Sequence, residues 1–298
     1  MAIIDIGKGD LSARISTAGG LVLGLWWHRD GASVPLLRPA PGDDADALAS
    51  GCYPLVPFGN RVRGNVFRFE GRDYRFQPNT DWDPHYLHGE GWQADWSVLQ
   101  HGADAVTLSF AHLSGKGTPY RYEAQQRFAV NDGAFVLGLS VTNRGDAALP
   151  FGLGWHPYFP MTPETTLLAP ATRYWTEVEG WLPGEAVDIP EDVDFRSPRS
   201  LPHRWVNNGF EDWSGEARID WPERATQLSL SADPLFRHAF VFVSDTGFDP
   251  AFQRDYFCFE PMSHLADGQN MPGLGDLKVL RPGETLSGSV RLTPARLA

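Results

Sequence analysis

Cysteine is scarce: Cys52 and Cys258 are the only two in 298 residues. Two thiols cannot form a disulfide framework for a chain of this length, which fits a reducing compartment. Positive charge is also short, with 25 Lys and Arg against 37 Asp and Glu and a formal charge of −12. A surface of that sign repels polyanions and argues against nucleic acid as a partner. No apolar run nears the ~18 residues that span a bilayer. The leading MAIIDIGKGDLSARIST lacks a basic stretch followed by an apolar core. Together these absences predict a soluble cytoplasmic protein with no membrane partner.

Several chemical signatures are missing as well. GxGxxG, GxxxxGK[ST] and GxSxG do not occur, which lowers dinucleotide, nucleotide and serine-hydrolase readings. His85 and His88 form an HxxH pair, but Pro84 and Gly89 bracket it. No third ligand lies at a recognised spacing, so no metal site is expected. Cys258 falls in an aromatic run and Cys52 beside a loop, positions that suit packing better than nucleophilic chemistry.

What the chain does contain is apolar and aromatic. Hydrophobic residues make up 42%, with 11 Trp, 8 Tyr and 18 Phe, enough to bury a core and exclude disorder. The 31 Gly and 24 Pro punctuate the chain heavily, as in proteins built of short strands and turns. An all-β fold follows. Period-two alternation supports it: Val106, Leu108 and Phe110; Phe135, Leu137, Leu139 and Val141; Leu228 and Leu230. NVFRFEGRDYRF reads as a hairpin. HAFVFVSD and YFCFEP are nearly continuous apolar runs, the pattern of central strands covered on both faces. Pro39 to Ser50 predicts a polar loop with at most one helical turn, and Met161 to Pro202 a surface excursion. One all-β domain over residues 1–298 covers the pattern.

Four places can carry chemistry. In PFGNRVRG, a rigid approach presents Asn60 beside Arg61, an amide and a guanidinium suited to hydroxyl recognition; solvated loop charges are the plainer reading. His88, in HYLHGEGW, reads alone as a loop histidine bonded to nearby backbone. His156, in FGLGWHPYF, sits among aromatic residues that exclude water, either as a proton donor or acceptor or as a buried structural histidine. Glu260 closes YFCFE before Pro261. Alternation puts it on the side of Tyr256 and Cys258, where partial desolvation raises its pKa, unless the strand end releases it into solvent.

Taken together, PFGNRVRGNVFRFEGRDY, LHG, GWHPYF, VNNGFEDWSGEARIDWP and FCFEPMSHLADGQN resemble, in order and rough spacing, the aldose 1-epimerase (galactose mutarotase) family from about Gly19 to Arg291. The resemblance implies a large antiparallel β-sandwich with an open sugar-binding cleft and no metal or organic cofactor. It implies that Glu260 is the general base and His156 the general acid. Asn60, Arg61 and His88 match positions that hold sugar hydroxyls and the ring-oxygen region. Asn207 stands where the family usually has an aspartate, so the charge that favours paired hydroxyls is lost. Phe240 to Val243 also supplies no amide where many members have a glutamine.

Anomer interconversion needs a base at the C1 hydroxyl and an acid at the ring oxygen, expected on opposite sides of the sugar. The implied partner is a small-molecule sugar, either a free hexose or a hexose phosphate. For the latter, Arg61, Arg63, Arg72 and Arg75 form a possible phosphate clamp. A non-catalytic carbohydrate-binding sandwich and a two-carboxylate glycoside hydrolase are the competing classes.

Overall fold

Alternating side chains become strands with one face buried. Tyr122–Asn131 and Ala134–Asn143 bury alternate residues for most of their length and pair antiparallel from Tyr122↔Asn143 to Asn131↔Ala134. The computed structural model describes residues 1–113 and 117–297, and among them strands dominate. Nine strands form one antiparallel sheet, which includes Ala105–His112, Tyr122–Asn131, Ala134–Asn143, Thr285–Arg296, Thr226–Ala232 and Glu216–Trp221 in spatial order.

A second sheet of eleven strands lies against it. Its middle runs Cys52–Leu55, Gly154–Pro160, Tyr256–Met262, His238–Val243 and Val206–Glu211. The first three of these are buried at every position; of the two continuous apolar runs, YFCFEP lies in the third strand, and HAFVFV in the fourth is buried except at Phe242. Phe128 of the nine-stranded sheet meets Trp155 of the other edge-to-face at 5.9 Å. Phe159 and Phe257 pack at 5.7 Å and are fully buried. Trp155 and Phe159 therefore face the core between the sheets, and strand geometry turns His156 and Tyr158 to the opposite face. The fold is a large antiparallel β-sandwich, with His156 and Tyr158 on the outer face of the larger sheet.

Local elements follow the sequence in most places. Val66–Phe69 and Arg72–Arg75 form the expected hairpin, and a single 3-10 turn at Ala47–Ala49 interrupts the Pro39–Ser50 loop. Two expectations change. The Tyr256 strand does not stop at Glu260 but continues through Pro261 to Met262, so the carboxyl is interior and not released at an end. The Met161–Pro202 stretch is more than an excursion. Arg173–Val178 and Leu182–Val187 extend one edge of the larger sheet, while Thr166–Leu168 and Arg199–Ser200 extend the smaller. These strands are too short, at two to six residues, for a period of two to become visible. No helix among the described residues is long and apolar enough to cross a membrane.

One loop is locked by close backbone approach. Gly89 has φ +70°, and a Cβ there would lie 2.2 Å from the Val56 carbonyl oxygen and 2.4 Å from Pro57 Cδ. Both the conformation and the space require glycine. We expect Gly89→Ala to cost about 1–3 kcal/mol in stability, measured as a shift of the urea midpoint. An unchanged midpoint contradicts this close packing.

Candidate active site

Strand register accounts for how residues distant in sequence meet. Gly154 opposes Met262 and Tyr158 opposes Cys258, so His156, midway between, lies across from Glu260. Tyr53 opposes His156 on the other side, and Phe240 opposes Glu260. Tyr53, His156, Glu260 and Phe240 thus form one row across four strands, and all four line a cleft of about 1160 Å³.

Within that row His156 Nε2 lies 3.2 Å from Glu260 Oε1, with side-chain exposures of 9% and 2%. The imidazole stacks on Tyr53 at 4.4 Å and lies 4.9 Å from the Tyr158 ring. Glu260 Oε2 and His156 Nδ1 are buried without a protein hydrogen-bond partner among the described residues. The imidazole and carboxyl are neighbours on one wall, which corrects the expectation that acid and base flank a sugar from opposite sides. Two ligand oxygens bonded to one carbon can reach both groups from the same side.

A second wall comes from two interlocked loops. Asn60 and His88 both take positive φ, and each backbone bonds into the other loop: His88 N–H donates to Asn60 O at 3.1 Å, and Asn60 N–H donates to His88 Nδ1 at 2.9 Å. Because Nδ1 accepts, the neutral His88 ring carries its proton on Nε2. Arg61 Nε donates to Asp83 at 2.7 Å, with Asp83 fully buried, and the guanidinium lies 5.2 Å over Trp181. Asn60, Arg61, His88, His156 and Glu260 therefore share the cleft. Arg38 joins them, its guanidinium 3.8 Å over Tyr158 and 4.5 Å over Tyr256 while it donates to Ser50 O.

Asn207 lines the same cleft from the neighbouring Val206–Glu211 strand. Its amide donates to Glu177, which also accepts from Trp205 Nε1 at 3.1 Å and 3.2 Å. A carboxylate is therefore present beside the position where an aspartate was expected, but on the next strand. The four-arginine clamp does not assemble. Arg63 pairs with Asp267 at 3.1 Å and donates to Pro183 O in a separate depression, and Arg72 and Arg75 are exposed on the hairpin. Only Arg61 of the four lines the cleft.

Sequence reasoning missed Tyr53, Tyr158, Arg38, Asp83 and Glu177. Tyr53 and Tyr158 carried a usable signal, since each falls in phase with a candidate across or along a strand. Asp83 and Glu177 act through contacts that only the folded chain creates.

Burial sets the protonation of the pair. It raises the Glu260 carboxyl well above the usual range, opposed by the Arg61 charge, and pushes the His156 imidazole down, with Arg38 and Arg61 adding to the effect. Both shifts favour the uncharged arrangement, a protonated carboxyl beside a neutral imidazole. His88 is also pushed well down, by burial first and then by His156 and Arg61, and His264 is lowered to about 4 by burial.

Between about pH 6.5 and 4.5 an unfolded chain protonates His88, His156 and His264 while the folded chain resists. Glu260 opposes them, because over that range it holds its proton in the folded chain and loses it in the unfolded one. The three imidazoles outnumber the one carboxyl, so stability rises with pH. We expect a loss of roughly 1–4 kcal/mol from pH 7 to pH 5 in chemical denaturation. A flat or inverted profile contradicts the assigned protonation states.

Residues 2–293 match the family model described as aldose 1-epimerase. YphB of Escherichia coli K12, itself uncharacterized, is 44% identical over 293 residues, covering 98% of both chains. A solved structure from Escherichia coli K12, to which aldose 1-epimerase identity is assigned only provisionally, superposes with TM-score 0.94 at 42% identity and 99% coverage of each chain. The aldose epimerase homologue of C. elegans shares the fold, with TM-score 0.83 at 19% identity over 100% of this chain and 99% of that one. The chain belongs to the aldose 1-epimerase family.

Proposed function

We propose that this protein interconverts the α and β anomers of a sugar by acid/base opening and closure of its ring. The observation that carries the reading is the direct contact of His156 and Glu260 at 3.2 Å inside a cleft. In the reactive state the shared proton sits on His156 and Glu260 is a carboxylate. Glu260 accepts the C1 hydroxyl proton as the bond between C1 and the ring oxygen breaks, and His156 Nε2–H protonates that oxygen. The product is an open-chain aldehyde facing a protonated Glu260 and a neutral His156. Rotation of the carbonyl group followed by the reverse transfers closes the ring on the other face.

Burial weights the two halves of the cycle unequally. Ring opening turns the ion pair into the neutral pair that a desolvated site prefers, and ring closure runs against that preference. Asn60, Arg61, His88 and Asn207 supply donors and acceptors for hydroxyls and the ring oxygen, with Arg61 oriented by Asp83. Tyr53 holds the plane of His156 by stacking.

A purely binding sandwich has no need for a buried carboxyl against an imidazole, because the desolvation cost of the pair is not required to hold a sugar by its hydroxyls. The partner touching Glu260 is also an imidazole and not the second carboxylate that glycoside hydrolysis uses. Loss of either member of the pair should reduce the rate by about 10²–10⁴. We expect that loss for Glu260→Gln and for His156→Asn, read by polarimetry on freshly dissolved glucose and galactose, with equilibrium sugar binding retained. A variant rate close to that of the wild type contradicts these roles.

A further inference from the structure

The cleft is larger than one hexose requires. Its volume of about 1160 Å³ exceeds the ~300–1,000 Å³ of pockets that enclose drug-sized ligands, and the acid/base pair occupies only its floor. Beyond that pair stands an aromatic wall. The Phe248 ring meets Trp205 at 5.2 Å, Trp181 at 5.7 Å, Phe242 at 5.8 Å and Trp82 at 6.4 Å, and all five line the same cleft. Trp82 and Phe248 are each 42% exposed. Two large rings left open to water and in contact inside one cleft mark a binding surface, unlike apolar residues scattered singly.

The wall is continuous with the reacting centre. Arg61 lies over Trp181, and its charge is felt at both His156 and Glu260. The surroundings of the wall are polar and acidic, with Asp46, Asp245 and Asp249 along the cleft. Asp245 Oδ1 accepts the backbone N–H groups of Gly247 and Phe248, both at 2.9 Å, so the loop that carries Phe248 is tied in place. Aromatic faces beside carboxylate acceptors fit a neutral saccharide, whose C–H face packs on a ring while its hydroxyls donate outward.

We propose that the physiological substrate is a reducing disaccharide, or the reducing end of a short oligosaccharide, with its second pyranose on the Trp82–Phe248–Trp181 wall. This inference rests on the epimerase reading. Because the reaction needs a free C1 hydroxyl, the ring seated against Glu260 is the reducing one, and the second sugar is attached through another of its carbons.

The experiment compares kcat/KM for anomerisation of maltose, cellobiose and lactose with that for glucose and galactose. It uses wild type, Trp82→Ala and Phe248→Ala. We expect at least one disaccharide to exceed the monosaccharides by about tenfold, chiefly through KM, and both variants to remove that excess while monosaccharide rates stay within about twofold. Unchanged monosaccharide rates also show that the variants are folded. If monosaccharides are turned over and no disaccharide is preferred, the second subsite is refuted and the epimerase reading stands. A preference that survives both substitutions refutes its location. No acceleration for any sugar overturns the epimerase reading and this inference with it.

Discussion

One antiparallel register governs the chemistry. With Gly154 opposite Met262 and Tyr158 opposite Cys258, an imidazole and a carboxyl far apart in sequence must face each other on the same side of the sheet. Both lose their water there. The cost of burying two ionisable groups is lowest when they hold a single proton between them, and burial shifts both groups toward that state. A shift of one residue would send His156 into the core and bring Trp155 to the cleft. The pair is therefore a property of strand pairing before it is a property of either residue.

The rest of the fold holds that pairing in place. Trp155, Phe159 and Phe257 anchor the two strands from below, and Phe128 ties them to the smaller sheet. Tyr53 on the adjoining strand keeps the imidazole plane nearly parallel to its own, within 19°. The loops carrying Asn60 and His88 are fastened to each other through backbone bonds, which gives rigidity to residues lying outside the sheets. Asp83 fixes Arg61, and Arg61 in turn tempers the carboxyl it faces. The functional face is assembled from four layers of constraint: register, stacking, loop interlock and charge.

Part of this was legible in residue order alone. Alternation fixed the face of Glu260 with Tyr256 and Cys258, and unbroken apolar runs marked the central strands, because burial acts on each residue locally. Taken alone, His156 and His88 also read as structural histidines, and it was the family resemblance carried by GWHPYF and LHG that singled them out. Other features exist only as long-range contacts. The Glu177 carboxylate beside Asn207, and Asp83 behind Arg61, leave no trace in spacing. The arginine clamp failed for the related reason that closeness in sequence across a hairpin does not produce convergence: Arg72 and Arg75 fall on opposite faces of one exposed strand of the hairpin, away from the cleft. The strands between Met161 and Pro202 were hidden by their shortness, since two to six residues give too few alternations to read.

The shared proton is open to direct observation. Difference infrared spectroscopy of wild type against Glu260→Gln, without sugar at neutral pH, reports whether the Glu260 carboxyl carries a proton. A protonated-carboxyl stretch that disappears in the variant is the predicted result. A pure carboxylate signature at Glu260, together with a His156 ring that titrates near an ordinary histidine value, would contradict it.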